Sequence, residues 1–520
     1  MKKRNIIILA AVGVLCVAGV VAAVNADNLF PEKIDSDFSV SYEGIATNSI
    51  NAGVSVHDPS IMKGEDGRYY IFGSHMSGAV SDDLRNWESI GNGYSIKNPI
   101  FGDLMKQEEP FAYSGSRKSL IPTDDRSWHV WAPDVIYNKA QGKYFMYYCT
   151  TSTWNASNLC YGVSDTPEGP YEWQGAFIYS GFSNMKQMAE TDVLDYVSED
   201  YAKENYITPL REYNFELYPN AIDPTVFYDK DDRLWMVYGS WSGGIFLLEL
   251  DPETGLVIHP EADPDNNVDA YYGKRLVGGG HKSIEGPYIM YDAKSDYYYL
   301  FVSYGSLTRE GGYQIRVYRS KTVNGDYVDM NGKTPWFEDK DHAGFGLKLS
   351  GNYTLPSLEQ AYMATGHNSA FTDDDGKEYV VFHTRFEKRG EEHEPRVHQM
   401  FANEEGWPCV LPYATDGETI SESGYSQEEI VGEYYVINQG TKINADIAEP
   451  VKLYLSKKGK VYGKDAEGTW ETKNNSYYMN ITVGEKSYSG VFCKMNDEAG
   501  TEVMTFSAVG GNESLWGVKY

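Results

Sequence analysis

Acidic and histidine side chains occupy one recurring position in this 520-residue sequence. Asp58, Asp223 and Glu285 each stand in a similar short motif, and His367 stands at the same point of a further copy. Carboxyl groups brought together raise one another's pKa, a cost that structure alone rarely requires. Two carboxyls held apart in a groove suit glycoside hydrolysis, because one can protonate the departing oxygen while the other activates water or attacks carbon. The alternative is that each carboxylate caps its own strand by accepting bonds from backbone N–H groups.

The motif that carries these residues is part of a longer repeat. A polar or proline motif is followed by an apolar strand, a turn rich in Gly, Asp and Lys, and an aromatic strand. In four copies a Lys or Arg follows ten residues after the motif, whereas the copy with Glu285 is shifted by about one residue. The five copies begin at His57, Ala132, Ile222, Ile284 and Gly366.

The spacing of the repeat indicates the fold. Each copy predicts a β-hairpin, and the roughly 60–90 residues between successive starts leave room for four strands. Five such units predict an all-β, five-bladed β-propeller over about residues 45–420; a chance recurrence of hairpins in a sandwich is the alternative. Equivalent residues of the blades converge at the propeller axis, so the recurring acidic residues and His367 are expected to meet there. In this register Pro133, not Asp134, aligns with Asp58.

Composition divides the chain into three parts. We predict a targeting segment at residues 1–26, the propeller at 27–424 and a small C-terminal β-barrel or sandwich at 425–520. Residues 181–217 lack strand alternation, which predicts a partly helical insertion between the second and third blades. For the C-terminal domain, carbohydrate binding and structural capping both stay open.

The first residues are typical of a secretory signal peptide. Basic residues at positions 2–4 precede an apolar stretch from Ile6 to Val24, and small residues then lead to a predicted cleavage point after Ala26. Cleavage there predicts an extracellular protein. A membrane anchor that faces outside is the alternative, because the apolar stretch is nearly long enough to cross a bilayer.

Charge and cysteine content exclude further classes of protein. The chain has 45 Lys and Arg against 75 Asp and Glu, a net charge of −30. This balance argues against nucleic acid and anionic membrane surfaces as partners, and no protein partner is predicted. Cys149 and Cys160 bracket a predicted hairpin. Buried free thiols are expected from the low cysteine content, with a disulfide between these two as the alternative.

Other catalytic motifs are missing from the sequence. It contains no phosphate-binding loop, no nucleophile elbow and no zinc-protease motif. His393 and His398 are too far apart for that zinc motif, and Pro395 would break the helix it needs, so this stretch is interpreted as a solvated loop. The run Asp373–Gly376 lacks the alternating ligands of a calcium-binding hand and is interpreted as a hairpin turn.

Taken together, the ordered motifs resemble glycoside hydrolase family 43, and within it the extracellular endo-α-1,5-L-arabinanase group. The resemblance covers nearly the whole chain beyond residue 26 and includes a C-terminal β domain that ends similarly. Its motifs are His57-Asp58-Pro59, Trp131-Ala132-Pro133-Asp134, Asn220-Ala221-Ile222-Asp223-Pro224, Ser283-Ile284-Glu285-Gly286-Pro287 and Gly366-His367-Asn368-Ser369.

The resemblance implies a role for each recurring residue. Asp58 would be the general base, Glu285 the general acid, and Asp223 the residue that orients Glu285 and tunes its pKa. An inverting mechanism is implied, with the carboxyls of Asp58 and Glu285 about 6.5–9.5 Å apart. A calcium ion on the axis, held by His367 and water, is also implied, although the residues themselves indicate only an axial histidine. Further side chains are expected to line the sugar groove, with blade packing as the alternative for each: Trp131, Asn220, Ser240, Trp241 and His281.

The activity implied by the resemblance is hydrolysis of internal bonds in linear α-1,5-L-arabinan, a neutral pectin side chain, with release of arabino-oligosaccharides. An exo-acting α-L-arabinofuranosidase or β-xylosidase of the same family is one alternative, and it would need a blocked pocket in place of an open groove. A non-catalytic propeller that binds polysaccharide is the other.

Overall fold

Five antiparallel sheets surround a central axis in the computed structural model. The innermost strands of the five sheets contact one another in a closed ring. Each sheet is therefore one blade, and the five-bladed propeller predicted from the repeat is confirmed. The predicted targeting segment, 1–26, lies outside the described residues. The structure describes residues 37–115, 129–152, 156–336, 341–473 and 475–520.

The first two blades each contain four consecutive strands. Blade 1 consists of β1 (Ser60–Lys63), β2 (Tyr69–Gly73), β3 (Ser77–Ser81) and β4 (Glu88–Gly91). Blade 2 consists of β5 (His129–Asn138), β6 (Lys143–Thr151), β7 (Ser157–Ser164) and β8 (Glu172–Ser180).

Blade 3 is extended to six strands, and the last two blades return to four. Blade 3 consists of β9 (Thr225–Tyr228), β10 (Leu234–Tyr238), β11 (Ile245–Leu250), β12 (Val257–Ile258), β13 (Val268–Asp269) and β14 (Gly273–Val277). Blade 4 consists of β15 (Ile284–Asp292), β16 (Tyr297–Tyr304), β17 (Gln314–Ser320) and β18 (Leu347–Ser350). Blade 5 consists of β19 (Met363–Thr372), β20 (Glu378–Arg385), β21 (Glu394–Ala402) and β22 (Pro408–Val410).

Helices are few and short in the described parts of the chain. Between blades 2 and 3 lie α2 (Met185–Met188), α3 (Val193–Tyr196) and α4 (Glu199–Asn205), and elsewhere lie α1 (Glu109–Ala112) and α5 (Gln427–Ile430). Single 3₁₀ turns lie at Leu104–Lys106, Pro264–Asn266 and Glu387–Arg389. None of the helices in the described ranges is long and apolar enough to cross a membrane.

The blades are apolar on both faces because each is packed between two neighbours. In β16 the side chains of Tyr298 and Leu300 enter the core shared with blade 3, whereas those of Tyr299 and Phe301 enter the core shared with blade 5. Successive side chains of a strand point to opposite faces. A strand buried on both faces therefore appears in the sequence as the continuous aromatic run that marks each repeat.

The interface between blades 1 and 5, here called the seam, differs from the other four. Its apolar cluster is the smallest of the five between neighbouring blades. As at the other interfaces, in the described residues the two blades share no strand. Hydrogen bonds join them: the backbone N–H of Val56 donates to the carbonyl of His393 at 2.8 Å, Ser369 Oγ donates to the carbonyl of Pro59 at 2.8 Å, and the Tyr69 hydroxyl donates to Asp373 at 2.6 Å.

The C-terminal domain is a closed eight-stranded antiparallel barrel, as the sequence allowed. It opens at α5, where Ser426 and Glu429 form a reciprocal capping box that fixes the start of the helix. Its strands are β23 (Gly432–Asn438), β24 (Val451–Leu455), β25 (Lys460–Gly463), β26 (Glu467–Thr472), β27 (Tyr478–Val483), β28 (Lys486–Asn496), β29 (Glu502–Gly510) and β30 (Glu513–Lys519).

The barrel is joined to the propeller by a shared core and by polar contacts. Trp516 and Val518 of the barrel belong to the same apolar cluster as side chains of blades 4 and 5. At the seam, Glu498 of the barrel accepts bonds from the backbone N–H of Ile50 at 3.1 Å and from the Tyr362 hydroxyl at 2.9 Å. The barrel therefore contacts the chain on both sides of the seam.

A cavity of about 530 Å³, here called the interdomain cavity, lies between blades 4 and 5 and the barrel. Glu378 and Gln399 of blade 5 and Tyr477 and Tyr478 of the barrel are among its lining residues. Burial and the charge of Asp292 raise the pKa of Glu378 to about 8.

The four cysteines in the described residues are free thiols, as expected. Cys149 and Cys160 lie on paired strands, but Cys149 belongs to the core between blades 2 and 3 and Cys160 to the core between blades 1 and 2. Their side chains point to opposite faces of the blade, which prevents a disulfide between them.

Candidate active site

An unusual backbone conformation recurs once in every blade beside the axis. The five residues concerned have φ values of 56°, 42°, 54°, 55° and 45°, and they are Asp58, Ala132, Asp223, Gly286 and His367. This left-handed region is rare for most residues, and Gly, Asp and His adopt it more readily than others. The identities of these axial residues are therefore limited by the backbone as well as by chemistry.

The left-handed positions correct the sequence register by one residue. In four blades the left-handed residue is followed directly by proline, which makes Ala132 and not Pro133 the equivalent of Asp58. The equivalent in blade 4 is Gly286, which explains why the copy containing Glu285 was shifted. Asp134 stays outside the axial group in either register.

Irregular strand pairing turns the motif side chains toward the axis. The register of β5 with β6 shifts between Trp131 and Asp134, and that of β15 with β16 shifts between Glu285 and Tyr288. A third irregularity lies on both sides of Gly366 in β19. Bulges of this kind re-aim side chains and are frequent beside active sites.

The residues aimed at the axis enclose a cavity of about 430 Å³, here called the axial cavity. All nine site residues predicted from the sequence line it: Asp58, Trp131, Asn220, Asp223, Ser240, Trp241, His281, Glu285 and His367. Four lining residues were not predicted: His57, His75, Ile222 and Leu307. Side chains from all five blades therefore meet in one place.

Asp58 is held in its ionised form. Its Oδ1 lies 2.9 Å from Nδ1 of His367, and its Oδ2 accepts a hydrogen bond from the Ser74 hydroxyl. Burial alone would raise the pKa of Asp58, but the neighbouring His367 outweighs it and holds the pKa well below its usual range. An ionised carboxylate at the cavity wall can accept a proton from water.

The pKa of Glu285 is shifted in the opposite direction, upward. Its carboxyl accepts bonds from the Tyr313 hydroxyl at 2.7 Å, from Nε1 of Trp241 at 2.6 Å and from Ser240 Oγ at 3.4 Å. Burial raises the pKa of Glu285, and the charge of Asp58 adds to the shift, whereas the bond from Tyr313 opposes it. A protonated Glu285 can donate a proton, so the axial cavity holds an acid and a base together.

Asp223 connects these two groups. Its Oδ2 accepts a hydrogen bond from the backbone N–H of Gly286 at 3.1 Å, directly beside Glu285. Burial raises the pKa of Asp223, and the charges of Glu285 and Asp58 raise it further. These effects together raise the pKa of Asp223 to about 7. Asp223 thus fixes the backbone that carries the acid.

Comparison with known proteins matches both domains to one protein family. Residues 177–408 match the family model described as glycosyl hydrolases family 43, and residues 412–517 match a C-terminal lipocalin-like domain of that family. The extracellular endo-α-(1→5)-L-arabinanase 2 of Bacillus subtilis is 38% identical over 500 residues, which cover 93% of this chain and 96% of that protein. The chain belongs to glycoside hydrolase family 43.

Further relatives extend this result over both domains. The extracellular endo-α-(1→5)-L-arabinanase of Thermotoga petrophila is 40% identical over 481 residues, which cover 89% of this chain and 93% of that protein. Its crystal structure superposes with a TM-score of 0.76 at 39% identity and covers 91% of this chain and all of that chain. A family 43 protein of Bacillus licheniformis superposes with a TM-score of 0.77 at 37% identity, over 90% of this chain and 98% of that one. The protein is therefore a glycoside hydrolase.

His367 is the residue at which the family resemblance expects calcium. Burial alone would lower the pKa of His367, but the charge of Asp58 and the bond to it outweigh this and raise the pKa to about 9. The imidazolium thus pairs with Asp58 and supplies a positive charge beside Asp223 and Glu285. A histidine binds a metal through a neutral ring nitrogen, so His367 would have to lose this proton to hold calcium. A single imidazole provides few of the oxygen ligands that calcium prefers, so most of its coordination would have to come from water.

On the wall of the axial cavity away from Asp58, two polar atoms of the described residues have no hydrogen-bond partner. Nε1 of Trp131 is a buried donor and Oδ1 of Asn220 a buried acceptor, while the amide nitrogen of Asn220 donates to the carbonyl of Ser240 at 3.1 Å. Buried polar atoms are normally paired. The hydroxyl groups of a sugar ring would pair with both.

Asp134 has a structural role in the blades. Its carboxyl accepts bonds from the Ser60 hydroxyl in blade 1 and from the backbone N–H of Val226 in blade 3, the latter at 2.6 Å. Burial raises its pKa to about 7. Because Asp134 belongs to blade 2, it ties three neighbouring blades together.

Sequence reasoning missed two residues that contact the acid and the base. Tyr313 donates to Glu285 and Ser74 donates to Asp58, yet both lie in turns outside the repeated motif. Tyr313 is one of 43 tyrosines, and Ser74 follows the last residue of β2. No local pattern distinguishes either of them.

The interpretation of His393 and His398 as part of a solvated loop is wrong. Residues Glu394–Ala402 form β21, and His398 is completely buried with Nδ1 2.7 Å from the carbonyl of Leu411. Pro395 does exclude a helix, but it is the second residue of β21, close to the strand end where proline is tolerated.

Proposed function

We propose that the protein is an endo-acting α-1,5-L-arabinanase that hydrolyses internal bonds of linear arabinan and releases arabino-oligosaccharides. The observation that carries the proposal is the axial cavity, in which Asp58, with a lowered pKa, and Glu285, with a raised pKa, face one space. The names of the Bacillus subtilis and Thermotoga petrophila relatives support arabinan as the substrate.

In the proposed reaction Glu285 acts as the general acid. Its proton passes to the glycosidic oxygen as the bond to the anomeric carbon breaks. Trp241 and Tyr313 fix the direction of the carboxyl, and their bonds also stabilise the carboxylate that remains. Asp223 is a positioning residue that holds the backbone beside Glu285 and favours its protonated form.

Asp58 is the proposed general base. It takes a proton from water that attacks the anomeric carbon on the face opposite the leaving group, so the configuration inverts. Ser74 and His367 hold the two oxygens of the carboxylate. A separation of about 6.5–9.5 Å between the carboxyls of Asp58 and Glu285 is part of this proposal.

A calcium ion on the axis belongs to the same proposal, with His367 as its protein ligand. When bound, the ion would supply positive charge beside the carboxyls. The group that favours a cation there is the ionised Asp58, 2.9 Å from Nδ1 of His367, and His367 would bind the ion as a neutral imidazole.

An extracellular location is also proposed. It rests on the predicted cleavage after Ala26 and on the names of the two relatives, which describe extracellular proteins.

The product profile on linear 1,5-arabinan tests the proposal. Early samples are expected to contain mixed arabino-oligosaccharides with little free arabinose, whereas the Glu285→Gln variant, purified in parallel, should release almost nothing. Arabinose alone from the first time point would replace the endo-acting assignment by an exo-acting arabinofuranosidase. Release of xylose from xylan in place of arabinose would identify a xylosidase.

A further inference from the structure

Three histidines lie side by side behind the catalytic carboxylate Asp58. His57 precedes Asp58 in the chain, His383 lies in β20 of blade 5, and His393 directly precedes β21 of the same blade. One ring nitrogen from each lies within 4.8 Å of one from each of the others. The rings of His57 and His393 stack with centroids 3.9 Å apart, and that of His383 lies 4.8 Å from that of His393.

The ring nitrogens of this cluster lack hydrogen-bond partners in the described residues. Both ring nitrogens of His57 and Nε2 of His383 and His393 are buried without a partner. Nε2 of His57 does lie 3.2 Å from Oδ1 of Asp58, but not in hydrogen-bonding geometry. His383 itself is completely buried. Several orphaned polar atoms at one place are costly unless a ligand satisfies them.

The three imidazoles are neutral, which is the form that binds metals. Burial lowers the pKa of His57 to about 4 and that of His393 to about 3, and it holds the pKa of His383 well below its usual range. The only guanidinium acting on the cluster, among the charges identified in the described residues, belongs to Arg385, which is paired with Glu391 at 3.4 Å.

We propose that His57, His383 and His393 bind a divalent transition metal ion, zinc, copper or nickel, at a site separate from the axial position of His367. Imidazole nitrogen suits these ions, whereas calcium prefers oxygen. Zinc–nitrogen bonds of about 2.0–2.1 Å place tetrahedral ligands about 3.3 Å apart, so ring nitrogens that lie up to 4.8 Å apart must approach by up to about 1.5 Å. Water or Oδ1 of Asp58, which also pairs with His367, completes the coordination.

Metal binding at this site changes the surroundings of the catalytic base. The backbone N–H of Asp58 donates to Nδ1 of His383 at 3.3 Å, so the ring proton of His383 lies on Nε2. Coordination through Nε2 moves that proton to Nδ1, where it opposes the backbone N–H of Asp58 and lies 4.0 Å from Oδ1 of Asp58. The bond from the Asp58 backbone is lost, and the metal charge beside Asp58 stabilises its carboxylate and weakens it as a base. The expected effect is reversible inhibition by transition metals that calcium does not produce.

Binding is tested on untagged protein that has been treated with a chelator and resupplied with calcium. Titration with Cu²⁺ should give one site per chain, with nitrogen splitting from three imidazoles in the electron paramagnetic resonance spectrum. Titration calorimetry with Zn²⁺ should give the same stoichiometry. The variant His393→Gln should weaken Zn²⁺ affinity by about 100-fold or more. The matched control His259→Gln, a half-buried histidine of blade 3, should bind as the wild type does.

The outcomes separate this site from the axial one. A spectrum with a single nitrogen ligand, no saturable binding, or unchanged affinity in His393→Gln would each overturn the proposal. So would displacement of the bound Cu²⁺ by calcium, which would place the ion at His367. If His393→Gln folds poorly, the number of nitrogen ligands can still be read from the Cu²⁺ electron paramagnetic resonance spectrum of the wild-type protein. Because binding is read without hydrolysis, its failure would leave the proposed function untouched.

Discussion

The axial and interdomain cavities differ in the side chains that line them, and their volumes do not reflect that difference. The interdomain cavity is larger, at about 530 Å³ against 430 Å³, and it also contains a buried carboxyl with a raised pKa, that of Glu378. In the axial cavity, however, side chains from all five blades converge, and a base with a lowered pKa faces an acid with a raised one.

The difference shows that neither volume nor one perturbed carboxyl identifies a catalytic centre. Glu378 is hydrogen-bonded to the neighbouring Asp292, so its raised pKa is explained within that pair. Glu285 and Asp58 are held apart by separate donors on separate blades, so each presents its carboxyl to the cavity. Acid–base catalysis needs one carboxyl that holds a proton and another that is ionised, both facing the same space.

The largest expected effect distinguishes the two buried acids. Glu285→Gln removes the proton donor while keeping the shape of the side chain, and should lower kcat by about 10²–10⁴-fold with little change in KM. Glu378→Gln should leave kcat within about two-fold, since it contacts neither substrate nor the axial carboxyls. Steady-state kinetics on linear arabinan measure both, and equal losses in the two variants would remove the distinction.

The next effect concerns Asp223. Burial raises the pKa of Asp223 to about 7, so its carboxylate forms in the pH range of the alkaline limb. Asp223→Asn removes that carboxylate, which opposes ionisation of Glu285, so the alkaline limb of the kcat/KM profile should move to lower pH. Weaker positioning of the Glu285 backbone should cost about 10²-fold in kcat at the optimum. A pH–rate profile tests both parts. A loss of rate without movement of the alkaline limb would limit Asp223 to positioning.

A smaller effect is expected at the donors to the acid. Trp241→Phe keeps an aromatic face but removes the 2.6 Å bond to Glu285, and Tyr313→Phe removes the 2.7 Å bond. Each bond should contribute about 1.5–3 kcal/mol, or roughly 10–100-fold in kcat/KM. Tyr94→Phe, beside His75 and remote from Glu285, is the control. Losses equal to that of the control would show that the bonds do not orient the acid.

The smallest effect is one on stability at the interdomain cavity. The folded-state pKa of Glu378, about 8, lies above its unfolded value, so the folded protein holds a proton that the unfolded chain has lost. Stability is therefore lost as pH rises toward 8. Glu378→Gln abolishes that loss and should raise Tm at pH 9 while leaving it nearly unchanged at pH 5. Equal shifts at the two pH values would show that Glu378 is not protonated in the fold.

The repeat allowed the fold and the axial residues to be predicted because one local pattern is used five times. Asp58, Asp223 and His367 occupy the same backbone position, so a shared spacing was enough to align them. The alignment was one residue off in blade 2, because Ala132 has no side-chain chemistry to mark it. Tyr313 was missed because it reaches Glu285 from a turn, through a contact that only the packed blade creates.

The seam between blades 1 and 5 affects how long the protein stays folded. Blades 1 and 5 can separate by losing the hydrogen bonds across the seam and the smallest apolar cluster, with every sheet still paired. We therefore expect the ring to open first at the seam, and the lifetime of a protein exposed to proteases follows such openings. Glu498 reaches across this route from the barrel, to Ile50 on one side and Tyr362 on the other. We therefore expect the contacts that the C-terminal domain makes at the seam to lengthen the lifetime of the folded enzyme.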